Sequence, residues 1–408
     1  VLDAADGDQQ REHAASLAGA RISLGTMSPA DVGAAHLVVA SPGVRPGSPW
    51  LAYASKHGIP VWSEVELAYR LGARVVAAVT GTNGKTTTTE MIARALTDAG
   101  IGAVVAGNEI GTTLVESLAS ERVVAELSSF QLHSIESFRA PVAVLLNVAR
   151  DHLDWHGSFE AYARDKARIF ENQTADDTAI YHTGCARHVA WHRAQEIAFS
   201  ELGLPANGAG VEDGWIVVPE GRVVEVSRLR VRGRPNRANA VAAAAAACAL
   251  GAAPSSVGET LAAFTARPHR IETVAVVDGV TYINDSKAAD THATLAALEE
   301  LDDVVLIAGG RNKGIDLSEL AAGGDHLRAV VAIGEATPEI EGAFVETAVP
   351  VERATSMEDA VQRARALAQP GSIVLLSPAC ASFDMFLNYG ARGEAFRAAV
   401  KALEGGEG

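Results

Sequence analysis

The chain has 408 residues, 48% of them hydrophobic and 21% charged, a composition of ordinary globular proteins and too long for a single core. Its formal net charge of −16 argues against nucleic acid or an anionic membrane as the main partner, without bearing on small anionic substrates. Cys185, Cys248 and Cys380 are an odd number, lie far apart without zinc-site spacing, and suit a reducing cytosol.

Strands and helices alternate along the chain, the mark of parallel α/β layers. The first block, 1–73, holds strand candidates at HLVVAS (36–41) and IPVWS (59–63). It opens at VLDAAD without Met, and Val1-Leu2-Asp3 reads as a strand end closed by an acidic residue. A Rossmann-like unit would place a strand, a glycine turn and a helix before it, so that first unit is expected to be missing. Ser41-Pro42-Gly43 follows a strand, where α/β sheets bind ligands; a plain turn is the other reading. The second block, 74–267, predicts strands at RVVAAV (74–79), RVVAEL (122–127) and APVAVLLN (140–147). A turn-rich, Trp-bearing stretch near 201–234 predicts a small β excursion before the alanine-rich run 240–253. That run is too short to span a membrane and reads as a buried helix. The third block, 268–408, predicts four parallel strands at VTYIND (280–285), DVVLIAGG (303–310), AVVAIG (329–334) and SIVLLS (372–377).

The most informative stretch is VTGTNGKTTTTEMIARAL (79–96), an apolar strand running through a glycine loop into a helix. Backbone N–H groups and the positive helix end make that loop a phosphate cradle. Lys85 would neutralise outer phosphates and the Thr86 hydroxyl would hold Mg²⁺, so the chain is expected to use a nucleoside triphosphate. The loop is a tight G-x-x-G-K-T with Gly81 and Gly84; Val79 stands where the usual motif has its first glycine. Glu126, ending the strand RVVAEL, is a candidate Mg²⁺ ligand or a strand-end acid. NVARDHLDWHGS (147–158) crowds polar residues at a strand end, where His152 reads as a ligand of a second metal or as a surface imidazole. Lys166, on the helical stretch 161–172, reads as a solvated lysine. Asn236 and Asn239 share a face at the start of the alanine-rich helix, one as its N-cap and the other free for a ligand. Arg270, at the junction of the second and third blocks, would reach a phosphate or form a salt bridge. NDSKAADTHAT (284–294), GGRNKGIDL (309–317) and LLSPACASFDMFLNYG (375–390) put Asp285, Lys287, Lys313, Ser382 and Tyr389 at strand ends of one sheet, an anion site fit for a small dicarboxylate.

GTNGKT, ELSSFQL, NVARDHLDWHGS, the Asn pair, PHR, NDSKA, GGRNKG and SPACASFDMF occur in this order over essentially the whole chain. Together they resemble the Mur ligases of bacterial peptidoglycan synthesis, and ELSSFQL with SPACAS resembles the D-glutamate-adding branch. The resemblance implies a three-domain α/β architecture: a Rossmann-like domain at 1–73 for the UDP substrate, a central P-loop ATPase-like domain at 74–267, and a Rossmann-like D-glutamate domain at 268–408. It implies ATP, two Mg²⁺ ions, UDP-N-acetylmuramoyl-L-alanine and D-glutamate as reactants and cofactors, and a cytoplasmic monomer. ATP would meet Gly81, Thr82, Asn83, Gly84, Lys85, Thr86, Thr87, Asn239, Arg270 and Asp285. Metal would be held by Thr86, Glu126, His152 and a carbamate formed on Lys166. Lys85, His152 and Lys166 would carry the catalysis. Asp3, Ser41, Pro42, Gly43, Asn108 and Ser128 would face the UDP substrate; Lys287, Lys313, Ser382, Phe383 and Tyr389 would face D-glutamate. Departures from the family pattern are the absent first glycine turn, Ala289 where relatives often carry Thr, and Arg150 in place of the commoner Pro. A folylpolyglutamate-type ligase, sharing the ATP domain, and a nucleotide-sensing switch are the competing readings.

Overall fold

The computed structural model describes residues 2–404 except 4–6, 8–10, 13–14, 16–18, 20–22, 26–27, 109–110, 190–191, 232, 266 and 300. In the first block β1 (Leu2–Asp3) pairs in parallel with β2 (Ser23–Leu24), and β3 (Val38–Ala40) with β4 (Val61–Ser63). The helix Glu64–Arg70 follows at once, its N-cap Ser63 accepting from the Glu66 N–H. Glu66 is turned inward and locks this helix to the middle of the molecule. Its carboxylate accepts from the Glu136, Ser137 and Phe138 N–H groups, from Ser137 Oγ, and from Arg70 Nε at 2.6 Å.

The central sheet is wholly parallel: β5 (Val75–Thr80), β6 (Val104–Gly107), β7 (Val123–Glu126), β8 (Val142–Leu145), β9 (Thr178–His182) and β10 (Gln195–Phe199), in the order β10-β9-β8-β5-β7-β6. Strands β7 and β8 are buried at every residue, which explains why they read as unbroken Val/Ala/Leu runs rather than alternating ones. The chain leaves β5 toward β6 and β7 on one side and returns to β8 on the other. The strand order therefore reverses beside β5, and a crevice opens beyond its carboxyl end, where such sheets bind ligands.

The expected β excursion is an antiparallel meander, β11 (Gly210–Glu212), β12 (Trp215–Val218) and β13 (Gly221–Glu225). It leads into the helix Arg234–Ala249, whose residues 240–247 are all fully buried. This alanine helix packs directly on the phosphate-loop helix, Lys85–Asp98. Neither Asn236 nor Asn239 is its N-cap. Gly233 holds that position with φ +93° and Pro235 sits in the first turn, so both asparagines lie inside the helix.

The third block is a second sheet of β14 (Glu272–Val277), β15 (Val280–Asn284), β16 (Val304–Gly309), β17 (Leu327–Ile333), β18 (Val351–Ala354) and β19 (Ile373–Leu376), ordered β14-β15-β19-β16-β17-β18. The four expected strands are its parallel β15, β16, β17 and β19. The sequence reading missed β18 and the antiparallel edge strand β14. Among the described residues, no helix is long and apolar enough to cross a membrane.

Candidate active site

Gly84 sits at the head of the phosphate-loop helix with φ +84°, and a Cβ there would meet Asn239 Oδ1 at 2.2 Å. Only glycine satisfies both the left-handed backbone and the close approach. No side chain caps this helix among the described residues, so its first N–H groups face the crevice as an anion seat. The loop is held in shape from β8. Asn147 Oδ1 accepts from Asn83 N–H at 2.9 Å, and Asn147 Nδ2 donates to Asn83 O at 3.1 Å. Thr82 Oγ1 lies 3.0 Å from the Tyr162 hydroxyl and accepts from Ala149 N–H. Lys85 Nζ folds back to donate to Gly81 O and Thr82 O, at 3.0 and 2.9 Å. Thr86 and Thr87 are buried, and Arg270 Nη2 reaches across from the third block to Thr86 Oγ1 at 3.1 Å.

Beside the loop, Glu126 is fully buried at the end of β7. Asn108 Nδ2 donates to its Oε1 at 3.4 Å, while Oε2 has no hydrogen-bond partner among the described residues. An orphaned carboxylate oxygen next to a phosphate seat fits Mg²⁺, which takes few protein oxygens and fills its shell from phosphate and water. No cluster of three or more His, Cys, Asp or Glu forms a self-contained metal cage among the described residues. His152 adopts the left-handed backbone, φ +52°, and its ring stands edge-on to Phe130. Burial lowers its pKa; Asp151 opposes this, and the charges of Lys313, Lys166 and Lys85 reinforce it, which favours the neutral imidazole a metal requires.

Lys166 overturns its sequence reading as a solvated residue. It is 2% exposed on the helix Phe159–Ala167, donates to Gly81 O at 2.7 Å, and lies 4.6 Å from the centre of the Tyr162 ring. Burial, aided by the charge of Lys85, pulls its pKa well below the usual lysine value. Asp165 and His133 escaped the sequence reading, and they tie in His156 of the 147–158 loop and Ser129. Asp165 Oδ2 lies 2.9 Å from both His133 Nδ1 and His156 Nδ1, and His156 Nε2 lies 3.0 Å from Ser129 Oγ.

One cleft gathers Lys85, Thr86, Asn108, Ser128, His152 and Lys166, and the third block adds Arg270, Lys287 and Lys313. Ser128 has a structural duty there as well, since it caps the helix Ser129–His133 in a reciprocal box with Gln131. A contiguous cleft continues from Gly84 and Thr87 past Asn236, Asn239 and Asp285. Burial pushes the Asp285 carboxyl up to about 7 against hydrogen bonds from Ser377 Oγ and the Ile271 N–H. The outer wall of this second cleft is a chain of ion pairs absent from the sequence reading. Glu201 joins His182 and Arg234, and Arg234 reaches Glu299 of the third block at 2.6 Å.

Among the remaining expected residues, Lys287 Nζ lies 4.2 Å from the Tyr389 ring centre, and Ser382 is buried. Phe383 is 64% exposed and, with Ser382 and Tyr389, does not line either cleft. Gly43 lines a separate groove with Arg45, Trp50 and Trp155, following the exposed Ser41 and the half-buried Pro42. Asp3 ends β1, but its side chain lies outside the described residues.

A phosphate loop at a switch point, facing a second, largely parallel sheet that presents lysines across the cleft, defines a nucleotide-dependent α/β enzyme working between two domains. Residues 79–247 match the Mur ligase middle domain, and residues 269–380 match the Mur ligase glutamate ligase domain. The UDP-N-acetylmuramoylalanine–D-glutamate ligase of Frankia casuarinae is 45% identical, over 99% of this chain and 89% of that protein. The enzyme of that name from Streptomyces coelicolor is 42% identical, over 99% and 92%. Two solved structures share the fold at 18% identity. A MurF ligase from Thermotoga maritima, in complex with ADP, has a TM-score of 0.64 over 87% of this chain and 92% of that one. A pseudomurein peptide ligase type C from Methanothermus fervidus has a TM-score of 0.62 over 99% and 94%. The chain belongs to the Mur ligase family.

Proposed function

We propose that this protein is an ATP-dependent ligase that joins D-glutamate to UDP-N-acetylmuramoyl-L-alanine, acting in the cytoplasm as a monomer on the route to peptidoglycan. The observation that carries the reading is the single cleft in which Lys85, Thr86, His152 and Lys166 face Arg270, Lys287 and Lys313. The identity to relatives bearing that name, extending over nearly the whole chain, favours it over a folylpolyglutamate-type ligase or a sensor.

In this reading the L-alanyl carboxylate of the UDP substrate attacks the γ-phosphorus of ATP, ADP leaves, and an acyl phosphate forms. The D-glutamate amine then attacks the acyl carbon, losing a proton as inorganic phosphate departs and the amide bond closes. Both steps bring anions together, so stabilising the growing negative charge is the main task. Lys85 swings from its backbone carbonyls onto the outer phosphates, and Arg270 meets them from the opposite domain. Asn239 and Asp285 orient the nucleoside along the second cleft, and Asn108 and Ser128 position the muramoyl-alanine end. Lys287 and Lys313 attract the two carboxylates of D-glutamate. The Thr86 hydroxyl, Glu126, His152 and a carbamate on Lys166 would hold two Mg²⁺ ions, whose contribution is to screen the phosphate charges. A buried, uncharged Lys166 amine is the form that adds CO₂ to make a carbamate.

The test is phosphate release from ATP and Mg²⁺ with UDP-N-acetylmuramoyl-L-alanine, comparing D-glutamate, L-glutamate and no amino acid. Release dependent on D-glutamate is expected. Release indifferent to the amino acid would refute the ligase reading.

A further inference from the structure

Arg392 is a buried charge that the mechanism leaves unused. It lies one turn into the C-terminal helix Tyr389–Glu404, is 2% exposed, and makes no direct ion pair among the described residues, Asp384 acting on it only through its charge. Its hydrogen bonds go instead to three loops at the carboxyl ends of three neighbouring strands. Nε donates to Ser286 Oγ at 3.0 Å and Nη2 to Ser286 O at 2.7 Å, just beyond β15. Nη1 donates to Cys380 O at 3.0 Å, beyond β19, and makes a longer 3.5 Å contact with Gly309 O at the end of β16. Ser286 Oγ passes the connection on, donating to Tyr389 O at 2.8 Å. The loops themselves are joined by reciprocal backbone hydrogen bonds between Arg311 and Ala381. Gly310 has φ +130°, and a Cβ there would meet Ala381 O at 2.2 Å and Arg392 Nη1 at 3.2 Å, so the backbone is shaped around the guanidinium.

These loops are the ones that carry Lys287, Lys313 and Ser382, with Tyr389 on the same helix as Arg392. Burying a guanidinium without a carboxylate is costly, and carbonyl oxygens from separate segments offset that cost only while those segments hold their positions. Lysine cannot reproduce the arrangement, because only the planar fork donates in three directions at fixed angles. We propose that Arg392 is a positioning residue for the amino-acid acceptor: it fixes the spacing of the three loops, and so the spacing of the groups that grip the two carboxylates. The proposal rests on assigning those loops to D-glutamate.

The experiment measures kcat and KM for each of the three substrates in wild-type protein, Arg392→Lys, Arg392→Met, Ser286→Ala and Arg397→Ala. Arg397 shares the helix but pairs outward with Glu272 and Glu394. Misplacing binding groups by about 1 Å can lower efficiency by about 100-fold, so both Arg392 variants should raise the KM for D-glutamate at least ~10-fold. The KM for ATP and for the UDP substrate should stay within about 3-fold in the same variants. Ser286→Ala, which keeps the arginine and loses the two hydrogen bonds of the Ser286 hydroxyl, should give a smaller rise in the same single KM, and Arg397→Ala none. Arg392→Lys behaving as wild type, equal rises in all three KM values, or a fall in kcat and melting temperature alone would overturn the proposal. Should Arg392→Met not fold, an unchanged D-glutamate KM in Ser286→Ala would overturn it equally. Wild-type protein that ignores D-glutamate would refute the acceptor assignment itself, an outcome distinct from a responsive enzyme with a silent Arg392.

Discussion

Replacing Glu66 by Gln tests how the first block is fastened to the rest of the molecule. Burial alone would raise this carboxyl from its ordinary 4.5. The Ser137 hydroxyl, the Glu136 and Phe138 N–H groups and Arg70 overcome that effect and hold it at about 2. Its side chain is fully buried, and Arg70 is itself stacked on Trp62, 4.3 Å from the ring centre to the guanidinium carbon. A carboxyl held at about 2 in the fold and near 4.5 in the unfolded chain contributes about 3 kcal/mol at pH 7. Because the folded value is the lower one, that contribution is complete above the unfolded value and drains as pH falls toward the folded one. At pH 3 about 1 kcal/mol of it remains. Glutamine fills the same volume but turns an N–H₂ group toward donors, so Glu66→Gln should lose about 3 kcal/mol at pH 7 and distinctly less at pH 3. Urea unfolding at the two pH values measures the loss, and amide exchange at Glu136, Ser137 and Phe138 locates it. A penalty below about 1 kcal/mol at pH 7, or one that does not change with pH, would refute the reasoning.

Gly84→Ala should cost only about 1–2 kcal/mol of stability from the left-handed backbone, yet push aside Asn239 and weaken ADP binding at least ~100-fold. Calorimetric titration with ADP that matches wild type would count against the cradle. Lys166→Ala should be inactive and regain part of its turnover with added short carboxylic acids; a variant with substantial activity unaided would remove Lys166 from the metal site. Lys313→Ala should raise the KM for D-glutamate far more than that for ATP, and equal effects in steady-state kinetics would place its side chain elsewhere.

Much of the site was legible because it sits in local motifs. GTNGKT specifies a strand, a turn and a helix start by itself, and Glu126 and His152 follow apolar strands whose ends must share one edge of a parallel sheet. Lys287 and Lys313 were legible for the same reason on the second sheet, and Arg270 by its place at the junction of the second and third blocks. What stayed hidden depends on distant packing. Lys166 stands among charged residues on a helix whose sequence reads as solvated, Arg392 was not singled out at all, and only the placement of other segments over them reveals their burial. The chain from His182 through Glu201 and Arg234 to Glu299 joins segments far apart in sequence, and none of its members belongs to a local pattern. One miss was avoidable. Pro235 marks a first helical turn and should have placed the start of the alanine helix ahead of Asn236.

The alanine helix has a consequence for heritable variation. Its residues 240–247 are fully buried, and its flank is the phosphate-loop helix itself. An added methylene there displaces the very segment that seats the nucleotide. Drift along this stretch is therefore confined to side chains no larger than those present. A selected library should accumulate changes instead at its partly exposed ends, such as Arg237 and Ala249, leaving between them a silent interval in which stability and activity fail together.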